Sequence, residues 1–380
     1  MPPVKKLLIL TDWFAPGYKA GGPIQSCVNL CAVLNTKYDI YVLTMDTDHG
    51  VAEPYPGIEA DKWIHDAGLN INVYYLRKKH LAQKKISEQI KYINADVVYL
   101  NHLFSPFFVI HPLLLKYRGV IKSKVVVCPR GALYDSALSL KRYKKKPLLL
   151  LYKWMGIQNK VTFHATNKRE QKEIEKYFPG SKIIVADNLP NTKQADFKSI
   201  NKEQGKLSCI FIARIVPIKN LLFLLEVLQN IKEQVKLTVV GPVENESYWI
   251  ECKNVINKLP GNISVDYIGP KQNSELGGLI QQHHLFILPT TGENFGHSIF
   301  ESLLAGRPVL ISDQTPWLQL QKDNAGWDLP LDRGKFEDAI RRAANFNQQQ
   351  FDCYATGAWL YAGNYINQSI SKEKYYTLFE

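Results

Sequence analysis

The sequence predicts an α/β protein of two tandem domains, each a doubly wound parallel sheet with helices on both faces. Three observations predict it. Short apolar runs alternate with longer helix-like stretches from the N-terminus onward, the pattern of parallel strands joined by crossovers. The alternation stops in the polar segment NLPNTKQADFKSINKEQGK, 188–206, and then begins again. At 380 residues, with 46% hydrophobic and 22% charged residues, the chain can build two ordinary cores.

The elements follow in order. KKLLILT at 5–11 reads as a strand buried on both faces, followed by a Gly-rich loop and a helix around Gln25–Asn35. DIYVLT at 39–44 and INVYYL at 71–76 read as strands. A helix near 81–94 leads to the strand DVVYLN at 96–101. KVVVCP at 124–129, KVTFHAT at 160–166 and KIIVADN at 182–188 complete the first series. Past the polar linker, LSCIFIAR at 207–214 is a strand, NLLFLLEVLQNI at 220–231 a helix and KLTVVGP at 236–242 a strand. ISVDYIGP, HLFILPT and PVLISD continue the series. The expected boundaries are 1–190 and 205–355. Paired doubly wound sheets bind ligands at the carboxyl ends of their strands, so a cleft between the two is expected there.

The densest signal is LPTTGENFGHSIFESLLAGRPVLIS at 288–312. A strand stops at Pro289, a loop carries Glu293, and Gly296 turns the chain into a helix. Ile299, Phe300, Leu303 and Leu304 form its buried face. Gly306 stands where a helix stop is needed, and Pro308 prevents continuation. A helix start at the mouth of a sheet offers the N–H groups of Gly296, His297 and Ser298 to phosphate. The two carboxylates, Glu293 and Glu301, suit hydroxyl groups better than phosphate. In ARIVPIKN at 213–220, Arg214 ends a strand and Lys219 opens the next helix, two cations placed for a diphosphate.

The first half offers weaker signals. Gly21 and Gly22, in GYKAGGP, allow close approach of backbone to a ligand or simply make a loop. Arg130, in VVVCPRGALYD, cannot act as a base. It binds phosphate or acceptor, or makes a structural ion pair. His102, after DVVYLN, is either a ligand contact or a capping or core histidine. Asp46-Thr47-Asp48 spells a D-x-D metal motif, but it follows the second strand, away from the phosphate elements. His283-His284 lacks a third ligand. No G-x-G-x-x-G follows the first strand, which argues against a dinucleotide oxidoreductase. No metal and no cofactor is expected. Cys27, Cys31, Cys128, Cys209, Cys252 and Cys353 have no zinc spacing and mostly sit in apolar runs, as reduced thiols would.

The spacing ENFG…E…LAGRPV, with the Arg-Lys pair and the Gly-Gly loop, resembles the retaining GT-B glycosyltransferases of the GT4-type group. The resemblance is strongest over 207–330, including TPW at 315–317 and NAGW at 324–327, and looser over 1–190. It implies the GT-B arrangement of two Rossmann-like domains and a UDP- or GDP-sugar donor. It assigns Glu301 to the ribose hydroxyls of the nucleotide. Glu293, Phe295, Gly296 and His297 fall at the donor sugar, and Arg214 and Lys219 at the donor phosphates. Gly21 and Gly22 then face donor phosphate and acceptor, and Arg130 stands where many members carry a His. The segment ISKEKYYTLFE resembles the family's closing helix, expected over about 360–380 and packed back on the first domain.

Lys plus Arg is 47 and Asp plus Glu is 35, a formal charge of +12. The excess suggests anionic partners. Residues 116–153 hold eleven basic residues against Asp135 alone. Within them, LKRYKKKPLLLLYKWMG at 140–156 sets lysines beside Leu148–Leu151 and Trp154. It suits an anionic membrane surface or a core helix with a solvated start. Lys5-Lys6 precedes only LLIL, too short for a signal peptide. The expectation is a cytoplasmic chain that also touches the cytoplasmic face of a membrane. The expected acceptor is a sugar or lipid-linked sugar, in cell-surface polysaccharide or glycolipid synthesis. Two other readings remain: a sugar-nucleotide 2-epimerase, and a basic nucleic-acid-binding protein. No helix-turn-helix, aromatic platform or zinc module supports the second, so no nucleic acid is expected.

Overall fold

The structure, a computed structural model, describes residues 4–139, 142–192, 194, 196–369 and 372–380. It divides into two compact units, Met1–Leu189 with Ile370–Glu380, and Pro190–Ser369.

The first unit is built on eight strands: β1 (Lys6–Leu10), β2 (Asp39–Met45), β3 (Trp63–Asp66), β4 (Ile71–Leu76), β5 (Val97–Asn101), β6 (Lys124–Cys128), β7 (Thr162–Ala165) and β8 (Lys182–Val185). They lie in the order β3-β4-β2-β1-β5-β6-β7-β8. All pairs are parallel except β3 with β4. In β1, Leu7, Leu8, Ile9 and Leu10 are all buried, because helices cover both faces. Helix Gly22–Leu34 packs Cys27, Leu30, Cys31 and Leu34 inward at three- and four-residue spacing. Helix Lys372–Phe379 joins this core: the Tyr375 ring meets His164, and the Tyr375 hydroxyl donates to the Asp187 carbonyl at 2.8 Å.

The second unit carries six strands, all parallel: β9 (Lys206–Ile212), β10 (Gln234–Val240), β11 (Ile263–Tyr267), β12 (Leu285–Leu288), β13 (Val309–Ser312) and β14 (Gly326–Leu329). Their order is β11-β10-β9-β12-β13-β14. Helix Gln348–Ser369 belongs to this unit, and Tyr365 sits against Trp317 and Phe300. The expected return to the first domain therefore begins after this helix, not at 360. The polar segment 188–206 is also more than a linker. Fully buried Arg307 donates to the Lys198 carbonyl at 2.9 Å. The Lys202 ammonium donates to the carbonyls of Ala344 at 2.7 Å and Phe346 at 3.2 Å. Both cations fasten the segment to the second unit. Lys193 and Ala195 of this segment lie outside the described residues.

Candidate active site

Because β10, β9 and β12 are neighbours and parallel, the loops leaving their carboxyl ends share one edge of the second sheet. The loop after β12 is tied to the loop after β9 through one carbonyl. Ile218 O accepts from Thr291 N at 2.9 Å and from the Thr290 hydroxyl at 2.9 Å. This clamp brings the ammonium of Lys219 onto the carboxylate of Glu293, and both side chains are mostly covered, at 15% and 13% exposure. The two groups expected at donor phosphate and donor sugar thus pair with one another. Arg214 reaches Glu244 at 2.9 Å and stays more exposed, so releasing it toward a phosphate costs little. Gly241, after β10, has φ +142 and no room for a side chain: a Cβ there would stand 1.9 Å from the Ala213 carbonyl oxygen. That close approach fixes the backbone beside Arg214.

Gly296 caps helix His297–Leu304 with φ 79 and ψ 64, a left-handed conformation suited to glycine. Ile299 N and Phe300 N donate to Gly296 O at 3.0 and 3.1 Å, so the helix starts at that carbonyl, with its N-terminus at the sheet edge. Glu301 lies one turn after His297 on the same helix face. Burial pushes its carboxyl up to about 7. Among the described residues no hydrogen bond satisfies it, which leaves an acid with room for two donors. The Phe295 side chain is buried among Trp317, Phe300 and His297, so only its backbone can meet a ligand. The Trp317 indole donates to the Phe295 carbonyl and holds the turn in place. Ser298 is half-buried, and its carbonyl accepts from the Ser302 hydroxyl at 2.8 Å.

At the carboxyl edge of the first sheet, Gly21 caps helix Gly22–Leu34 with φ 67 and ψ −125. The Asp48 carboxylate holds the preceding loop, accepting from Tyr18 N at 2.8 Å and Lys19 N at 3.1 Å. Asp46 accepts from Lys78 N at 3.1 Å. The D-x-D pair is thus engaged by backbone amides, and Asp48 supports the glycine loop. Arg130, with φ 55, aims its guanidinium inward. It donates to Asn101 Oδ1 at 2.9 Å, to the Tyr99 hydroxyl at 3.1 Å and to Asn188 Oδ1. These partners are neutral, so no carboxylate offsets the half-buried guanidinium's charge, and the ion-pair alternative finds no acid among them. Burial and Lys145 lower His102 to about 4, and its ring accepts from Phe104 N at 3.3 Å. His283 is held by Leu279 O and the Thr238 hydroxyl, and His284 by Asn201 O and Ser208 N.

Two residues at this edge carried no sequence signal. Buried Glu170 accepts from Gly131 N, Thr166 N and the Thr166 hydroxyl, and so anchors the turn that follows Arg130. Asp12, just past β1, is raised to about 6 by burial, against the Ser105 hydroxyl at 2.7 Å. An acid just past a buried strand was the only available cue, and many loops share it.

Residues 192–341 match the family described as Glycosyl transferases group 1. The match lies wholly within the second unit and includes the Arg214-Lys219 pair and both glutamates. A 41.2 kDa protein in the cps region of Klebsiella pneumoniae is 23% identical over 240 residues, 60% of this chain. The alignment spans 63% of that relative's length. Among solved structures, Alr3699/HepE from Anabaena in complex with UDP-glucose has a TM-score of 0.70. It is 15% identical and covers 98% of this chain and 99% of its own. Sucrose-phosphate synthase from Thermosynechococcus elongatus has a TM-score of 0.73 at 13% identity, covering 98% of both chains. WaaG, a glycosyltransferase involved in lipopolysaccharide biosynthesis, has a TM-score of 0.65 at 14% identity, covering 97% of this chain and 98% of its own. The group 1 domain thus sits in a chain with the fold of GT-B glycosyltransferases, two α/β domains on parallel sheets. Among the described residues, no helix is long and apolar enough to cross a membrane.

Proposed function

We propose that the chain is a nucleotide-sugar-dependent glycosyltransferase. It moves a sugar from a UDP- or GDP-sugar to a sugar or lipid-linked sugar acceptor, in the synthesis of a cell-surface polysaccharide or glycolipid. The observation that carries this reading is the Glu301 carboxylate, desolvated and without a partner one turn below a helix N-terminus. Vicinal ribose hydroxyls supply the two donors it lacks, and the amide-rich helix start receives the diphosphate. Lys219 and Arg214 add positive charge to the leaving group as the glycosidic bond breaks. Glu293, held by Lys219, then faces the donor sugar. The relative in a cps region and the HepE crystal with UDP-glucose support the same substrate class.

Retention rests on the resemblance of the ENFG…E spacing. The acceptor oxygen bonds to the anomeric carbon on the face that the diphosphate leaves, and the acceptor proton passes to a donor phosphate oxygen. The protein's part is then positioning and charge stabilisation, with no metal and no cofactor. The chain works at the cytoplasmic face of a membrane, which helix Arg142–Trp154 touches through Tyr143, Leu150, Leu151 and Trp154, all exposed apolar side chains beside lysines. Leu140 and Lys141 of that stretch lie outside the described residues.

A thermal-shift panel of nucleotide sugars tests the reading. A UDP- or GDP-sugar is expected to raise Tm, and NMR analysis after incubation with the donor alone to show it unchanged in sugar configuration apart from slow hydrolysis. An isomerised donor would point instead to a 2-epimerase, and no shift with any nucleotide sugar would remove the reading.

A further inference from the structure

At the edge of the first sheet opposite the glycine loop, β6, β7 and β8 begin side by side. Lys124 and Lys182 are the first residues of β6 and β8, and Thr162 opens β7. These ends line a cavity of about 390 Å³ with Val125, Gln158, Asn159, Lys160, Val161 and Gly180. Three lysines line it and no carboxylate does. Among the described residues, none of the three has an ion pair or a side-chain hydrogen bond. The lysines also act on one another. Lys124 is lowered from its usual value first by burial, then by Lys182 and Lys5, and Glu380 opposes the shift. Lys116 is lowered by burial and by Lys160. The Gln158 Oε1 is buried and lacks a hydrogen-bond partner, so nothing holds that amide against rotating its nitrogen into the oxygen's place. Three lysines around one cavity, with no carboxylate in its lining, give it a positive field suited to an anion.

The cavity adjoins the exposed apolar patch. The Lys160 ammonium stands 5.8 Å from the Tyr117 ring centroid, and that ring lies 6.5 Å from Trp154. Tyr117 is 40% exposed and Trp154 77%, with Leu150 at 67%. Aromatic and leucine side chains next to a lysine-lined cavity match the two layers of a bilayer surface, acyl boundary and phosphate.

We infer that the Lys124–Lys160–Lys182 cavity is a binding site for the phosphate headgroup of an anionic lipid, seated beside the Tyr117–Trp154 patch. This rests on the membrane contact proposed above and gives it a defined headgroup site. It is also distinct from the donor machinery, because it lies at the amino ends of strands in the first unit. The three ammonium groups bind the phosphate oxygens. Gln158, rotated to present its amide nitrogen, supplies a further donor.

The test is sedimentation of the full chain with phosphatidylcholine vesicles, with and without phosphatidylglycerol. Wild type is compared with a Lys124→Gln, Lys160→Gln, Lys182→Gln triple variant and with a charge-matched Lys232→Gln, Lys253→Gln, Lys258→Gln variant. A third arm titrates inorganic phosphate calorimetrically in saturating UDP. Binding of wild type to phosphatidylglycerol vesicles is expected. The cavity variant should lose about tenfold or more, the matched variant much less, and UDP affinity should stay unchanged in both. Equal loss in both variants, or none in the first, overturns the headgroup site while leaving membrane contact standing. No vesicle binding by wild type overturns both. Phosphate binding that the cavity variant abolishes, without any effect on vesicles, assigns the cavity to soluble phosphate and overturns the lipid source.

Discussion

At the scale of single residues, Glu301 carries the most. Its carboxyl sits at about 7 in the folded chain against an ordinary value of 4.5, because burial disfavours the charge. A raised acid contributes stability that is fully present below 4.5 and is lost as pH rises through 7. Unliganded protein should therefore lose on the order of 2 kcal/mol of stability between pH 4.5 and 7.5 from this group. Glu301→Gln should flatten that segment of a denaturant-monitored pH profile. Hydroxyl donors favour the ionised form, so UDP or GDP affinity should rise from pH 6 to 8 in wild type and stay level in Glu301→Gln. A level wild-type profile counts against the ribose role. At this scale the sequence was legible where a motif fixed the partners. The ENFG…E spacing led to Glu293 and Glu301, and the Arg-Lys spacing to Arg214 and Lys219. The hydrogen-bond partners of Arg130 were not legible, because a guanidinium's partners come from distant strands. Tyr99 and Asn101 stand on β5 and Asn188 lies past β8, so they meet it only once β5 to β8 have paired. Glu170 and Asp12 were missed for the same reason.

At the scale of elements, the site depends on close approaches that tolerate no side chain. Gly241→Ala puts a Cβ against the Ala213 carbonyl in a backbone conformation that L residues avoid. The expected cost is about 2 kcal/mol or more, read as a fall in the denaturation midpoint, with weaker nucleotide binding because the Arg214 loop must shift. An unaltered midpoint would mean the loop gives way freely. In the first unit, Asp48 braces the glycine loop through Tyr18 and Lys19. Asp48→Ala should cost about 1.5–3 kcal/mol for its charge-assisted bonds, while EDTA leaves activity and melting of the wild type unchanged. Activity lost in EDTA and restored by Mg²⁺ or Mn²⁺ would return the D-x-D pair to a metal role. Most strands were legible because they are apolar runs buried on both faces. The strands missed were β3, WIHD, a partly exposed antiparallel edge, and β14, GWDL, which opens on a glycine and carries an acid. Neither has the continuous apolar run that marks the rest.

At the scale of the whole molecule, the division of labour follows charge and motif. Residues 192–341, which match the group 1 glycosyltransferase model, hold Arg214, Lys219, Glu293 and Glu301. The first unit holds the basic stretch 116–153 and the exposed Tyr143, Leu150 and Trp154. The twin-sheet architecture was legible from alternation alone, but the division at Leu189 and the return after Ser369 were set by packing that no local pattern records. The account's central claim is that the second unit binds a nucleotide through Glu301, with Glu293 reserved for the sugar. Calorimetric titration of UDP and GDP into wild type, Glu301→Ala and Glu293→Ala, all in excess EDTA, tests it most directly. The account predicts that one nucleotide binds wild type, that Glu301→Ala weakens it by roughly ten- to a hundredfold, and that Glu293→Ala leaves it within a few-fold. Absence of binding by either nucleotide, or equal losses in the two variants, would contradict it.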